Sequence, residues 1–408
     1  MKLLHTSDWH LGKRLENISR LDEQKDVLNE ICMIAEAEQV DAVIISGDLF
    51  DTYNPSAEAV DLFYKTLKRL ANNGKRAVIA IAGNHDSPDR IAAPDPLARE
   101  CGILFAGYPN VIIPAFELDS GLIVTQSEEG FVELHLPGCS DPLRLLLTPY
   151  ANEFRLKAYL GHEDSEEVLR KLLNDRWESL ALKYCDSCGI NILVSHLFFA
   201  RKGAALPEEP EDEKPILHVG GAQVIYSENI PHQIQYVALG HLHRKQTIDT
   251  NPCPIIYAGS PLSYSFAEAD QKKYVMVLDI EPGKIPLISN HELTKSKRLL
   301  RKKAESVAEA IEWLQVHQSA LIELTMSTET SLTAEERKSL NAAHSGIISI
   351  IPDVKRADDD QVNFRRTIDL TKGMEELFTD YFRYEKGQEP NQRILDLFKE
   401  VLAQEGDE

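Results

Sequence analysis

The 408-residue sequence contains no apolar run of about eighteen residues, the length that a membrane-spanning helix requires. It begins with a strand-like apolar segment rather than a charged leader, so we expect no signal peptide. Its six cysteines are scattered, and a chain of this length needs no disulfide to stabilise its core, which favours a reducing compartment. We therefore expect a cytoplasmic protein with no membrane partner.

Positive charge is also scarce, because 44 lysines and arginines face 65 aspartates and glutamates, for a formal net charge of −21. This charge argues against a protein that coats nucleic acid non-specifically. It leaves open an enzyme that acts on nucleic acid through a local basic surface. It also indicates that a partner or a divalent metal supplies part of the positive charge.

The first half of the sequence alternates short apolar runs with helix-like segments, a pattern typical of βαβ units. The predicted helices cover residues 20–39, 57–73 and 89–101. Short strands separated by Gly and Pro follow residue 104 and indicate a second sheet. The length favours two or three domains. We predict a core over residues 1–284, a small domain over 292–355, a linker over 356–371 and a helical segment over 372–408.

Five apolar, strand-like segments end in side chains that bind metals. They are HTSDWH with Asp8 and His10, VIISGDLFD with Asp48 and Asp51, IAIAGNHDS with Asn84, His85 and Asp86, ILVSH with His196, and VALGHLH with His241 and His243. Asp8, Asp48 and Asn84 are separated by 40 and 36 positions, and each interval fits one strand–helix–strand unit. We expect them to meet at the C-terminal edge of neighbouring parallel strands, where open α/β sheets place their sites.

The residue types indicate two metal ions. Carboxylate, amide oxygen and imidazole suit Mn²⁺, Fe²⁺ or Zn²⁺, and the lack of cysteine among them disfavours a structural zinc site. A carboxylate can bridge two ions, and such a pair supports in-line attack on phosphorus. Each segment alone is more often a polar loop or turn, but five in one order favour a two-metal site. Seven such side chains are too many for one ion and suit two.

The motifs DxH, GDxxD, GNHD, a strand-end His and GHxH, in this order, resemble those of the calcineurin-type metallophosphoesterases. The segments HTSDWHLGK, GDLFDT, AGNHDS and GHLHRKQ, followed by YAGSPLSYSF, are similar to one branch of that family, the nuclease subunits that work with a coiled-coil ATPase. The match is dense over about residues 1–280 and looser beyond them. The resemblance implies a four-layer α/β/β/α sandwich with a small α+β capping domain and C-terminal partner-binding helices.

The resemblance also implies a role for each site residue. One ion would be held by Asp8, His10, Asp48 and His243, and the second by Asp48, Asn84, His196 and His241. His85 would orient the phosphate and protonate the leaving oxygen. Asp51 would pair with His85 and favour its charged form, although archaeal and eukaryotic members of the nuclease branch often carry His at this position. The family's expected metal is Mn²⁺, with Mg²⁺, Fe²⁺ and Zn²⁺ left open.

Other residues of these motifs are expected to have structural roles or remain open. His5 and Asp86 would orient loops or metal ligands. Trp9 would point away from the metals, either into the packing beneath its loop or toward DNA.

In the family, the capping domain contacts DNA. Here its first strand carries a basic cluster, and a phosphate backbone requires such a surface, although a solvated face explains it equally well. The cluster comprises Lys295, Lys297, Arg298, Arg301, Lys302 and Lys303.

The C-terminal helices would bind the base of the coiled coil of the ATPase. The expected contacts are Leu377, Phe378, Tyr381, Phe382, Ile394, Leu397, Phe398 and Leu402. Family members dimerise through core helices, here near residues 57–70 and 89–99, which predicts a homodimer within a heterotetramer.

These observations predict the nuclease subunit of a DNA repair complex, with ATP-dependent exonuclease activity on double strands and endonuclease activity on single strands. One alternative keeps the metal site but acts on small phosphate esters or cyclic nucleotides, which leaves the extra domain unexplained. A second alternative is a non-catalytic scaffold that recruits the ATPase, and it would be favoured if ligands were missing. Cleavage of RNA stays open, because metal and phosphate chemistry do not distinguish the 2′-hydroxyl.

Overall fold

The computed structural model describes residues 1–16, 18–156, 165–207, 217–218, 221–222, 224–269, 271–328, 332–354 and 373–386, with residues 390, 394, 395 and 398. Over these ranges, no helix has both the length and the apolar character needed to cross a membrane. Contacts divide the chain into two compact units. The first comprises Met1–Met326 and Thr333–Ile351, and it contains both large sheets.

Strands and helices alternate through the first hundred residues, and strands dominate the middle of the chain. The strands are β1 (Lys2–Thr6), β2 (Arg14–Leu15), β3 (Ile18–Ser19), β4 (Ala42–Ile45), β5 (Ala77–Ile81), β6 (Ile103–Ala106), β7 (Phe116–Glu117), β8 (Ile123–Glu128), β9 (Phe131–His135), β10 (Leu143–Thr148), β11 (Ile190–Ser195), β12 (Phe198–Ala200), β13 (Leu217–His218), β14 (Gly221–Ala222), β15 (Val224–Tyr226), β16 (Tyr236–Leu239), β17 (Gln246–Asp249), β18 (Ile255–Tyr257), β19 (Lys273–Asp279), β20 (Leu287–Leu293), β21 (Leu299–Ala304), β22 (Leu321–Thr328) and β23 (Ile347–Val354). The helices are α1 (Leu21–Ala37), α2 (Ala57–Ala71), α3 (Pro88–Ala92), α4 (Asp95–Arg99), α5 (Glu153–Leu156), α6 (Ser165–Tyr184), α7 (Val307–Val316), α8 (Ala334–Ala343) and α9 (Met374–Lys386).

Two sheets form the centre of the first unit. The first has the strand order β20-β19-β1-β4-β5-β6, in which β1, β4, β5 and β6 run parallel. The second has the order β17-β18-β16-β11-β10-β9-β8-β7, in which β10, β11, β16 and β18 run parallel. Their facing sides share one buried apolar core, which includes Ile44 and Ile79 from the first sheet and Leu145 and Ile192 from the second.

Helices cover the outer face of each sheet. On the first sheet, Ile31 of α1 and Phe63 of α2 pack against Val43 and Val78. On the second sheet, Trp177 of α6 packs with Leu193 and its neighbours. The layers therefore run α/β/β/α, which confirms the predicted sandwich.

One predicted helix, over residues 89–101, is instead two short helices, α3 and α4. Pro94 and Pro96 lie in its middle, where proline lacks the N–H that a continuous helix needs and its ring clashes with the preceding turn. By contrast, α2 matches its predicted start, because the Ser56 hydroxyl accepts a hydrogen bond from the Ala59 N–H at 3.3 Å. It ends at Asn72, which adopts a left-handed φ of 46°.

The core sheet extends past residue 284, where we predicted the end of the core, because β20 pairs along its length with β19. Beyond it, β21, β22 and β23 form a three-stranded sheet together with α7 and α8. Most of this sheet belongs to the same compact unit as the core, whereas the last residues of β22 and β23 belong to the second unit. The division of function between core and small domain stays a prediction.

The second compact unit contains α9. In this unit the rings of Phe378 and Phe398 stack with their centroids 4.0 Å apart, and Phe378 also contacts Phe382. Tyr381 is exposed, whereas Leu377 and Ile394 are half-buried. The predicted contact residues Leu397 and Leu402, and the predicted linker over residues 356–371, lie outside the described residues.

Candidate metal centre

The predicted ligands come together where the C-terminal ends of strands from both sheets meet. Each side chain follows a strand directly, and all are buried. They are Asp8 and His10 after β1, Asp48 after β4, Asn84 after β5, His196 after β11, and His241 and His243 after β16, and the expected general acid His85 directly follows Asn84. The chain leaves every one of these parallel strands at the same edge, so that residues far apart in the sequence lie close together there.

One group of side chains surrounds His10. Its Nε2 lies 3.0 Å from Nε2 of His243 and 3.6 Å from Oδ2 of Asp48. Potential ligand atoms of Asp8, His10 and Asp48 all lie within 4.8 Å of one another. These are the four residues predicted for one ion.

A second group surrounds His196. Its Nε2 lies 2.9 Å from Oδ1 of Asn84 and 3.2 Å from Oδ2 of Asp48. Ligand atoms of Asp48, His196 and His241 also lie within 4.8 Å of one another. Asp48 therefore belongs to both groups, as a bridging carboxylate must.

The backbone is strained at these positions. Asp8, His10 and Asp48 adopt left-handed φ values of 53°, 42° and 48°, which non-glycine residues rarely do. Close packing supports this backbone: a Cβ on Gly83 would lie 2.1 Å from Oδ1 of Asp48. Strain of this kind persists only where the surroundings over-determine it, and it concentrates at functional sites.

Backbone groups orient the ligand side chains. Oδ1 of Asp8 accepts a hydrogen bond from the His241 N–H at 2.8 Å, and Oδ1 of Asp48 accepts one from the His85 N–H at 2.9 Å. The ring of His196 donates from Nδ1 to the Ser46 carbonyl at 2.8 Å, which turns its Nε2 toward Asp48. Oδ2 of Asp8 accepts a hydrogen bond from the Ser7 hydroxyl at 2.6 Å, whereas Oδ2 of Asp48 faces the imidazoles of the site.

The electrostatics of the site favour positive charge. Burial opposes ionisation of Asp48, but neighbouring imidazoles, His196 first, outweigh burial and hold the pKa of its carboxyl below the usual range. Burial likewise opposes the charged form of His196, but Asp48 outweighs it and raises the pKa of His196 to about 9. Burial also raises the pKa of Asp8 to about 6.

These residues fit divalent metal ions. Among the described residues, the buried Oδ2 of Asp48 accepts no hydrogen bond, while imidazole nitrogens lie 3.2 and 3.6 Å away. A carboxylate oxygen and several Nε2 atoms that converge in a buried space form the donor set that a divalent cation takes in place of a proton.

His85 and Asp51 meet through the main chain. Nδ1 of His85 donates a hydrogen bond to the backbone carbonyl of Asp51 at 2.8 Å. The Asp51 carboxylate lies 3.8 Å from Nδ1 of His10 and 3.8 Å from Nζ of Lys13, and its oxygen lies within 4.8 Å of ring nitrogens of both His10 and His85. The main chain of Asp51 thus makes an orienting contact with His85, and the expected pairing of its side chain with His85 stays a prediction.

Trp9 points into the core. Its ring is fully buried against Phe63, and its Nε1 donates to the Thr6 hydroxyl at 3.1 Å. This contact settles the direction that the sequence left open. Asp86 and His5 orient their surroundings as expected: Asp86 accepts the N–H groups of residues 49, 50 and 83, and the ring of His5 contacts the hydroxyls of residues 46 and 236.

Three buried side chains that the sequence did not single out support the site. Arg155 donates to the carbonyls of Gly83 and Asp86, each at 2.7 Å, and so holds the turn that carries Asn84 and His85. Glu268 contacts His243 and forms an ion pair with Lys273. Arg155 follows a recognised strand end, β10, which was a usable signal, whereas Glu268 and Lys273 carried none.

The predicted DNA-contacting cluster spreads over β21 and the short segment that joins β20 to β21. Five of its residues are exposed, whereas Lys302 is half-buried and paired with Glu309 at 2.7 Å. Arg301 donates from Nε to Glu323 at 2.7 Å. Before the strand, the N–H groups of Lys295 and Lys297 are held by carboxylates of α1. The charges of Arg301 and Lys302 are therefore partly neutralised by these carboxylates.

Comparison with known proteins assigns the family. The calcineurin-like phosphoesterase profile matches residues 1–245. The D subunit of nuclease SbcCD from Bacillus subtilis is 35% identical over 412 residues, covering 99% of this chain and 98% of that protein. The proteins of the same name from Rhodobacter capsulatus and Staphylococcus epidermidis are 31% and 32% identical, each covering 70% of this chain and 68% and 67% of their own lengths.

The chain therefore belongs to the calcineurin-like phosphoesterase family and, within it, to the family formed by the D subunits of nuclease SbcCD. The family resemblance drawn from the motifs is confirmed, as is the prediction of a metal-dependent hydrolase. Its site is one for divalent metal ions.

Proposed function

We propose that this chain is a DNA phosphodiesterase, the nuclease subunit of an SbcCD-type complex. The observation that carries the proposal is the convergence of four imidazoles, two carboxylates and one amide at the meeting edges of two sheets, with His85 beside them. The names of the relatives favour a nuclease over an enzyme for small phosphate esters. The small domain and the terminal helices, which a small-ester enzyme does not need, support the same choice.

The predicted division of ligands between two ions is retained. One ion is held by Asp8, His10, Asp48 and His243. The other is held by Asp48, Asn84, His196 and His241. We propose Mn²⁺ as the native metal. When bound, the two ions supply Lewis-acid activation of water and of the phosphate.

His85 assists departure of the leaving 3′-oxygen. Because its Nδ1 hydrogen is held by the Asp51 carbonyl, the transferable proton of the charged ring is the one on Nε2. Asp51, 3.8 Å from Lys13 and from His10, adds negative charge beside the imidazoles and favours their charged forms. His85 thus serves as the general acid, with Asp51 as its positioning residue.

DNA reaches this site along the small domain, residues 292–355, which caps the core. Exposed basic residues of its first strand, Arg301 and Lys303 among them, contact the phosphate backbone. Lys295, Lys297 and Arg298 extend this surface. Lys302 lies on the same strand, where it also forms an ion pair with Glu309.

The terminal segment, residues 372–408, binds an SbcC-type coiled-coil ATPase. The stacked Phe378 and Phe398 give it an aromatic centre, and Tyr381 is exposed beside them on α9 for contact with a partner. Two copies of the chain pair through core helices, so that the complex is a heterotetramer. The ATPase controls access of duplex ends, which makes exonuclease activity on double strands dependent on ATP.

The test is cleavage of a single-stranded oligonucleotide by the purified chain in MnCl₂, with His85→Gln as the comparison. We expect the wild type to cleave and the variant to lose about 10²–10⁴-fold in kcat, the usual contribution of a general acid. A nitrophenyl phosphate ester run in parallel identifies the substrate class. Cleavage of the ester without cleavage of DNA would overturn the proposal, and equal DNA cleavage by both proteins would overturn the role of His85.

A further inference from the structure

A buried ion pair stands directly behind one of the proposed metal ligands. Oε1 of Glu268 lies 3.3 Å from Nδ1 of His243, on the side of the ring opposite to the Nε2 that faces His10. The other carboxylate oxygen of Glu268 pairs with Lys273. Glu268, Lys273 and His243 are all buried.

The same pair also holds the backbone of His243. Nζ of Lys273 donates to the His243 carbonyl at 3.0 Å and to the Ser260 hydroxyl at 3.0 Å. The Ser260 N–H donates to that carbonyl at 3.1 Å. Glu268 in turn accepts the Tyr264 N–H at 3.1 Å. Both ends of His243, its ring and its peptide group, are therefore fixed by one network.

A buried ion pair is a poor device for stability alone, because its desolvation cost offsets its attraction and apolar residues of the same volume do as well. The position of Glu268 accounts for its presence. A carboxylate at Nδ1 keeps the proton on that nitrogen, so that Nε2 presents its lone pair to the site, and it makes the ring a stronger ligand.

His196, in the other proposed metal position, differs in this respect. Its Nδ1 donates to the Ser46 carbonyl at 2.8 Å, and a carboxylate oxygen, Oδ1 of Asp8, lies 4.0 Å from that nitrogen. In the position of His243, Nδ1 of His10 also faces a carboxylate, that of Asp51, at 3.8 Å. A neutral carbonyl fixes the orientation of the ring, but it stabilises positive charge on the imidazole less than a carboxylate does. The charged contact of His243 therefore strengthens one of the two proposed metal positions more than the other.

We propose that Glu268, held by Lys273, is a positioning residue that sets the affinity of the metal position to which His243 belongs. The inference rests on the two-metal site of the proposed function. According to this inference, Glu268 and Lys273 control how tightly one of the two ions binds. They take no part in the chemical step, and they are not present mainly to stabilise the core.

The test is Mn²⁺ binding to the metal-free full-length chain, measured by titration calorimetry on the wild type and Glu268→Gln. We expect two dissociation constants for the wild type, one of which rises about 10–100-fold in the variant while the other stays within about twofold. The matched control is Glu292→Gln, which removes an exposed ion pair with Lys272 at 2.8 Å and should change neither constant.

Folding is followed by circular dichroism without metal. Because Glu268→Gln leaves Lys273 buried beside a neutral amide, the double variant Glu268→Gln/Lys273→Met repeats the titration without that charge. A folded variant with both constants unchanged, or with both raised equally, would overturn the inference, as would failure of the double variant to fold. The proposed function fails separately, if the wild type binds Mn²⁺ but leaves DNA intact.

Discussion

Oδ2 of Asp48 lies 3.2 Å from Nε2 of His196, and the two residues leave strands of different sheets. Asp48 follows β4 of the first sheet, whereas His196 follows β11 of the second. The contact joins the two halves of the sandwich at their shared edge. In the absence of metal it is an ion pair, because the neighbouring charges lower the pKa of Asp48 and raise that of His196 to about 9.

Asp48→Asn should abolish metal binding at both positions, since one carboxylate serves both groups. The amide keeps the size of the side chain but removes the charge that offsets the ions. We expect MnCl₂ to raise the melting temperature of the wild type, because a ligand that binds the folded state stabilises it. The rise should be lost in Asp48→Asn and kept in His85→Gln, since His85 is not a proposed ligand. An equal rise in wild type and Asp48→Asn would contradict the bridging role.

Gly83→Ala should disrupt the site by steric overlap alone. Its Cβ would lie 2.1 Å from Oδ1 and 2.3 Å from the backbone nitrogen of Asp48, so that either Asp48 or the turn must move. We expect urea unfolding of the metal-free protein to show a loss of about 1–3 kcal/mol in the free energy of unfolding, the usual cost of overpacking. Mn²⁺ affinity should fall as well.

The matched control for this change is Gly373→Ala, because no atom in the described part of the chain lies within 4 Å of a Cβ at that position. It should leave both unfolding and metal affinity at wild-type values. Wild-type Mn²⁺ affinity in a folded Gly83→Ala would show that the close packing of Gly83 does not position Asp48.

The ligands could be predicted from the sequence because their position depends on local pattern. An apolar run followed by Gly or Ser and a polar ligand marks a strand end, and parallel strands bring such ends together. The direction of Trp9 could not be predicted, since it depends on the left-handed backbone of Asp8 and His10 on either side. Those conformations are imposed by contacts with the chain after β4, such as the hydrogen bond from the His10 N–H to the Asp48 carbonyl.

The supporting residues were missed for a related reason. Arg155 acts on Gly83 and Glu268 acts on His243, each more than twenty positions away along the chain, and the strand end before Arg155 does not indicate which residues it contacts. Their roles arise from tertiary packing, which a single sequence does not display.

Arg155→Lys should slow DNA cleavage while the protein remains folded. The guanidinium spans the carbonyls of Gly83 and Asp86 and the Tyr53 hydroxyl, and a single ammonium group cannot reach all three with the same geometry. Because the turn carries His85, a small displacement should lower kcat by up to about 100-fold. The measurement is steady-state cleavage of a single-stranded oligonucleotide in MnCl₂.

Arg170→Lys is the control, since Arg170 also donates to a main-chain carbonyl, that of Val224, but in a region remote from the turn in sequence. Its kcat should match the wild type. Arg155→Met, which leaves buried carbonyls unsatisfied, should lower the free energy of unfolding by roughly 2–4 kcal/mol. Unchanged cleavage by Arg155→Lys would show that the turn keeps its position without the guanidinium.

His5 should make the metal-free protein less stable as the pH falls below neutrality. Burial lowers the pKa of His5 from 6.5 to about 3, so the folded protein keeps the ring neutral where the unfolded chain takes up a proton. Between pH 6.5 and 3 the unfolded state therefore binds more protons than the folded state. As a result, the free energy of unfolding decreases as the pH is lowered through that range. The contribution of His5 is about 1.4 kcal/mol for each pH unit.

The comparison that isolates this effect is His5→Gln, unfolded by urea in EDTA at pH 7 and at pH 5. The variant should be less stable at pH 7, because the ring joins the hydroxyls of Ser46 and Tyr236, but its stability should fall less steeply toward pH 5. Tyr236→Phe removes one hydroxyl and keeps the imidazole, so it should retain the steep wild-type dependence. Parallel pH profiles of wild type and His5→Gln would mean that a protonated His5 is tolerated between the sheets.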